Sequence, residues 1–88
     1  MSLNKTISAL SDENRRKILQ LLKTKDLPVK QISQSFNITL PSLSHHLNVL
    51  KQANLISGQR KGQEIIYSLN LSVFEEAAEK IIKFFKKK

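Results

Sequence analysis

Three residues, Asn37-Ile38-Thr39, separate two runs of helical periodicity, and that spacing constrains the fold more than any other feature. Before the gap, Val29, Ile32 and Phe36 recur at steps of three and four. After it, Leu40, Leu43, Leu47 and Leu50 do the same, to about Ala53. Two short helices joined by a three-residue turn form a helix-turn-helix pattern. Thr39 is the expected N-cap of the second helix. Pro41 suits its first turn, where a missing N–H costs nothing.

The flanking segments extend this pattern. Leu3, Ile7 and Leu10 predict a helix over about residues 2–10. Ser11 is the expected N-cap of the next helix, with Asp12 and Glu13 in its first turn and Ile18, Leu21 and Leu22 on one face to about Thr24. Asp26-Leu27-Pro28 reads as a break, with Leu27 reaching the core from the turn. The next helix is expected over Val29 to Phe36. After Asn54, residues 55–60 and 63–69 flank Lys61-Gly62, and the second run is rich in β-branched and aromatic residues, which predicts a hairpin. Asn70 and Ser72 are turn or cap residues. A last helix carries Phe74, Ala77, Ala78, Ile81, Ile82 and Phe85 on one broad face. The fold class expected is mainly α with one β-hairpin, in the order ααααββα. Without repeat or linker, residues 1–88 read as a single domain.

An 88-residue chain has a small core, and with no cysteine it has neither disulfides nor thiolate metal sites. Association with another copy remains as support. The formal charge of +8 points to an anionic partner, nucleic acid or an acidic membrane surface. Lys80, Lys83, Lys86, Lys87 and Lys88 carry +5 of it, so most of the excess lies outside the helix-turn-helix. No stretch approaches the ~18 apolar residues of a spanning helix, and no signal-peptide-like run opens the chain. A cytoplasmic protein is expected.

At ~100° per residue, Leu43, Leu47 and Leu50 share a narrow sector of the second helix, with Leu40 nearby. Pro41, His45, Asn48 and Gln52 point the other way, and Ser42 and Ser44 flank them at the N-terminal end. Such a polar, nearly uncharged face suits base edges and phosphate oxygens in the major groove of double-stranded DNA. Arg60 and Lys61, with Gln59 and Gln63 beside them, are expected at the tip of the hairpin, where the cations of a wing reach an adjacent minor groove or its phosphates. Arg15, Arg16 and Lys17 read equally as phosphate contacts or as a solvated helix face. Ser44 and His45 are helical neighbours whose side chains diverge, with no Asp nearby in sequence. No catalytic triad can be drawn, and an enzyme is not expected.

The run Asp12-Glu13-Asn14-Arg15-Arg16-Lys17-Ile18-Leu19-Gln20-Leu21-Leu22 resembles the D-x-x-R-R-x-I-L-x-L-L segment of ArsR-family winged helix-turn-helix repressors. Ser42-Leu43-Ser44-His45-His46-Leu47-Asn48-Val49-Leu50 is similar to their recognition helix. Leu55-Ile56, Arg60-Lys61-Gly62-Gln63 and Ile66-Tyr67-Ser68-Leu69 are similar to their wing. The resemblance covers roughly residues 3–72. It implies a dimeric transcriptional repressor on an inverted-repeat operator, with first and last helices paired across the two-fold axis. The residues concerned are Leu3, Ile7 and Leu10 in the first helix, and Phe74, Ala77, Ala78, Ile81 and Phe85 in the last. It also implies DNA contacts at Ser42, Ser44, His45, Arg60 and Lys61, and a His46 packed beneath the recognition helix.

The departures from the family matter as well. Where many members place a cysteine-containing metal site, this chain has Val29-Lys30-Gln31-Ile32-Ser33-Gln34. Its last helix offers Glu75, Glu76 and Glu79 but no histidine. His45 and His46 point ~100° apart and cannot chelate one ion. The likeness is to the short, metal-site-free, SdpR-like branch, and neither metal nor cofactor is expected. An alternative reading comes from Lys80-Ile81-Ile82-Lys83-Phe84-Phe85-Lys86-Lys87-Lys88, which also suits an interfacial membrane helix or a regulatory protein partner, and so an adaptor.

Overall fold

A computed structural model describes residues 3–86. The elements run α1 (Leu3–Leu10), α2 (Glu13–Thr24), β1 (Leu27–Pro28), α3 (Val29–Ser33), α4 (Leu40–Gln52), β2 (Ile56–Lys61), β3 (Glu64–Leu69) and α5 (Leu71–Phe85). The expected order is present with one addition. Leu27 and Pro28 form a short edge strand antiparallel to β3, with Leu27 opposite Tyr67, giving the sheet order β1-β3-β2. Proline is tolerated at an edge because its missing N–H deprives no inner strand of a partner. The third helix is shorter than its apolar spacing predicts. It ends at Ser33, and Ser35 and Phe36 close it through turn hydrogen bonds to Ile32 and Ser33.

Ile18, Ile32, Leu43, Leu50, Leu55 and Ile56 are fully buried, and Leu19, Leu22, Leu27, Leu47 and Tyr67 complete the core. α4 therefore lies with its leucine stripe inward. Its ends are built from local chemistry. Thr39 Oγ1 accepts from the Ser42 N–H at 3.2 Å, with Pro41 in the first turn, as the sequence predicts. At the other end Asn54 takes φ +61°. Its N–H donates to Lys51 O (2.9 Å), and the Leu55 N–H donates to Leu50 O (3.0 Å). This is a Schellman closure with asparagine in the left-handed position, and it turns the chain from α4 into the wing.

Two local expectations need correction. The N-cap of α2 is Asp12, whose carboxylate accepts from the Arg15 N–H at 3.1 Å. Ser11 instead closes α1, its hydroxyl donating to Ser8 O at 2.7 Å. In so tight a turn the first polar residue completes the preceding helix and the second opens the next. Leu40 has the phase of the leucine stripe but occupies the first turn of α4, ahead of the layer that Leu43 enters, and is 62% exposed.

The hairpin turns one residue later than the expected Lys61-Gly62: Lys61 pairs with Glu64 as the last residue of β2 and the loop is Gly62-Gln63, with Gly62 at φ +63°, where glycine carries no Cβ penalty. Asn70 ties the base of the wing to the start of α5. Its N–H donates to Leu55 O, its Nδ2 to Asn54 O (both 2.9 Å), and its Oδ1 accepts from Ser57 Oγ (3.3 Å). Its side chain is thus committed to the wing and does not cap α5.

Candidate nucleic-acid interface

The buried stripe of α4 fixes what its other side presents. Pro41, Ser44, His45, Asn48 and Gln52 are exposed, and Ser42 is half-buried. Pro41, Ser44, His45 and Asn48 occupy the first three turns of α4, the end where free N–H groups and the helix dipole favour phosphate oxygens. Exposed Leu40 adjoins them, an apolar residue at the edge of a polar face that periodicity had assigned to the stripe. Gln52 lies at the far end, lining a shallow cleft with Asn4, Lys5 and Ser8 of α1. Arg60 and Lys61 are exposed as the last two residues of β2, just before the loop rather than at the tip itself, and the Arg60 guanidinium lies 3.5 Å from Gly62 O.

His46 is buried, on the inner side of the helical turn whose outer side carries His45. Its Nδ1 lies 3.0 Å from Arg15 Nη1 and 3.8 Å from Asp12 Oδ2. Arg15 also donates through Nε to Ala9 O and through Nη2 to Ser8 O, both at 3.0 Å. Burial works against the Asp12 carboxylate. The Arg15 backbone N–H, the electrostatic influence of the neighbouring His46 ring, the Arg15 charge and the Asn14 N–H outweigh it and hold its pKa below the ordinary value.

The basic run Arg15-Arg16-Lys17 resolves into three intramolecular caps. Arg16 Nη1 donates to Leu10 O at 2.8 Å, and Lys17 Nζ donates to Ser35 O at 2.9 Å while lying over the Phe36 ring. Each cation reaches the carbonyl end of a short helix or its closing turn, the favourable end for positive charge. The acceptors belong to other segments, so sequence spacing alone leaves this arrangement open.

The residues read as a pairing surface, Leu3, Ile7, Leu10, Phe74, Ala77, Ala78, Ile81 and Phe85, differ in exposure, and Leu71, Ile82 and Phe84 of α5 stand beside them. Leu3, Leu10, Phe74, Ala78 and Ile81 are half-buried, and Ala77 is covered inside the protomer (1% exposed). Ile7, Leu71, Ile82, Phe84 and Phe85 stand exposed, the last two at 67% and 78%. A groove of about 410 Å³ between α2 and α5 is floored by Leu10, Leu19, Phe74 and Ile81, with Arg16 and Lys23 at its rim. Among the described residues, no three His, Asp or Glu side chains cluster to hold a metal ion, and no helix is long and apolar enough to cross a membrane.

Comparison with known proteins agrees with this geometry. The family model described as "Bacterial regulatory protein, arsR family" matches residues 12–58. The chain is 49% identical over 85 residues to the transcriptional repressor SdpR of Bacillus subtilis (strain 168), covering 97% of this chain and 94% of that protein. The solution structure of the homodimeric winged helix-turn-helix DNA-binding domain Mb0332 of Mycobacterium bovis superposes with a TM-score of 0.77 at 25% identity, over 91% of this chain and 75% of that one. A crystal structure of a possible transcriptional regulator for arsenical resistance shares the fold, with a TM-score of 0.83 at 22% identity, covering 91% of this chain and 83% of its own. The chain belongs to the ArsR family of bacterial regulatory proteins, a family of transcriptional regulators and not of enzymes, and it has their winged helix-turn-helix fold.

Proposed function

We propose that this chain is a cytoplasmic transcriptional repressor, a single domain over residues 1–88 that binds an inverted-repeat operator as a homodimer and senses no metal directly. The observation that carries the reading is the outward polar face of α4, bearing Ser44, His45 and Asn48 opposite the buried Leu43, Leu47 and Leu50, beside a hairpin ending in exposed Arg60 and Lys61. α4 enters the major groove with its N-terminal turns at the base edges. Arg60 and Lys61 reach the neighbouring backbone or minor groove. Phosphate contacts supply most of the affinity, and Ser42, Ser44, His45 and Asn48 supply the base readout, with Pro41 and Gln52 bordering them. The 49% identity to a named transcriptional repressor supports the regulatory sense.

Dimerisation is supported by an apolar row on α5 that is exposed at both ends, at Leu71 and Phe85, and half-buried between them. Leu71, Phe74, Ala78, Ile81 and Phe85 fall at alternating steps of three and four, the spacing of a helix-pairing seam. Placing Ala78 on a two-fold axis between antiparallel copies sets Phe85 beside the partner's Leu71. Leu3, Ile7 and Leu10 of α1 border the same surface, while buried Ala77 supports it from within.

Footprinting on the DNA upstream of the protein's own gene tests the reading. Two protected half-sites, centred about 34–36 Å apart or a multiple of it, are expected. Equal affinity for that DNA and for random duplex would refute it. A second reading is favoured by Phe84, exposed beside Lys80 and Lys83 and off the pairing seam: α5 docks to an anionic membrane or a regulatory protein. Absence of cosedimentation with anionic vesicles at physiological salt would remove the lipid form of that alternative.

A further inference from the structure

We propose that Arg15 is a positioning residue for DNA reading: through His46 it sets the rotation of α4 about its own axis, and it neutralises no phosphate. This rests on the reading of α4 as the recognition helix. Arg15 engages all three guanidinium nitrogens internally, Nε and Nη2 on the last carbonyls of α1 and Nη1 on His46 of α4. Its own backbone N–H is held by Asp12, whose carboxylate also lies 3.8 Å from His46 Nδ1. One side chain therefore joins the end of α1, the start of α2 and the inner face of α4.

The hydrogen-bond sense is fixed by chemistry. Guanidinium only donates, so Nδ1 of His46 is the acceptor and the ring proton resides on Nε2. His46 sits two residues after Ser44, one after His45 and two before Asn48, and a helix turn is rigid. Whatever rotates His46 rotates the reading face. A rotation of about 20° moves side-chain tips about 6 Å from the helix axis by about 2 Å, enough to break any base-edge hydrogen bond. No sequence motif reports this coupling, because Arg15 stands in a run of three cations that looks like a phosphate-binding patch.

The test combines DNA titration at several salt concentrations with amide NMR of the DNA-free, full-length protein. Arg15→Gln is expected to weaken operator binding about 10- to 100-fold, the scale of one or two lost base contacts. Random-duplex affinity should stay within about twofold and the salt slope should not change. His46→Asn, which keeps an acceptor near the Nδ1 position, should retain most operator affinity. His46→Phe, which fills the space without an acceptor, should match Arg15→Gln, and the double variant should lose no more than either alone. An equal loss on operator and random DNA with a flatter slope would make Arg15 a phosphate contact and overturn the proposal. So would additive losses in the double variant. The NMR arm does not depend on DNA. Shifts of the residue 42–49 amides in Arg15→Gln, with α4 still helical, are expected even if the wild type shows no operator preference, a result that would refute the functional reading alone. Unmoved amides would overturn the positioning role itself.

Discussion

Replacing Phe85 by alanine should weaken the dimer while leaving the protomer fold intact. The ring is 78% exposed in the protomer, so its removal takes little from the core. Fully burying a phenylalanine is worth about 1.5–3 kcal/mol, so covering the exposed part is worth about 1–2 kcal/mol per copy. A two-fold interface counts each residue twice, giving about 2–4 kcal/mol, or about a 30- to 1,000-fold rise in the dimer dissociation constant. Sedimentation equilibrium over a concentration series reads this directly. Phe84→Ala is the matched control. Phe84 lies off the seam and touches Phe85 edge-on, with ring centroids 5.1 Å apart, so its removal should cost less than about tenfold. A Phe85→Ala dissociation constant within threefold of wild type, or a larger effect from Phe84→Ala, would refute the α5 seam.

Local geometry makes four further substitutions informative. Thr39→Ala should cost about 1 kcal/mol in denaturant unfolding through loss of the α4 cap, and Thr39→Ser should restore most of it. Asp12 has a lowered pKa in the folded state, so its contribution is complete above the unfolded value near about 4 and is lost as pH falls through the lower folded value. Asp12→Asn keeps a capping acceptor but cannot titrate, and should flatten the acid side of the stability profile below about pH 4; an unchanged profile would remove Asp12 from that role. Gly62→Ala should cost about 1–2 kcal/mol from the left-handed backbone alone, since nothing lies within 4 Å of the added methyl. Gly58→Ala should instead disturb the Tyr67 ring, which a Cβ would meet at 3.0 Å.

What the sequence revealed depended on whether the signal was local. The Thr39 cap, the inward leucines and the hairpin around Gly62 follow from periodicity and one-residue conformational preferences and are present, whereas the turn read at Asn37-Ile38-Thr39 begins earlier, since α3 ends at Ser33 and residues 34–39 join it to α4. The features it hid are those whose partners are distant. β1 exists only because β3 offers an edge to Leu27 and Pro28, and two residues carry no periodicity. Ser11 and Asp12 are equally good caps by type, and the tight turn between α1 and α2 decides between them. Arg15, Arg16 and Lys17 read as a charge run because Ser8, Leu10 and Ser35, whose carbonyls they bind, leave no mark in the spacing. Leu40 follows the phase of the core stripe yet stands exposed, since helical phase does not tell where the layer beneath a helix begins. The candidate reading face was legible for the converse reason: it is what remains of α4 once the buried stripe is subtracted.

The central claim is that the outward face of α4 reads base sequence while cations supply sequence-independent affinity. Its most direct test is titration of the Ser44→Ala, His45→Ala double variant against operator and random duplex. Operator preference should be lost, with random-duplex affinity and dimerisation retained. Unchanged affinity and specificity in that variant would contradict it.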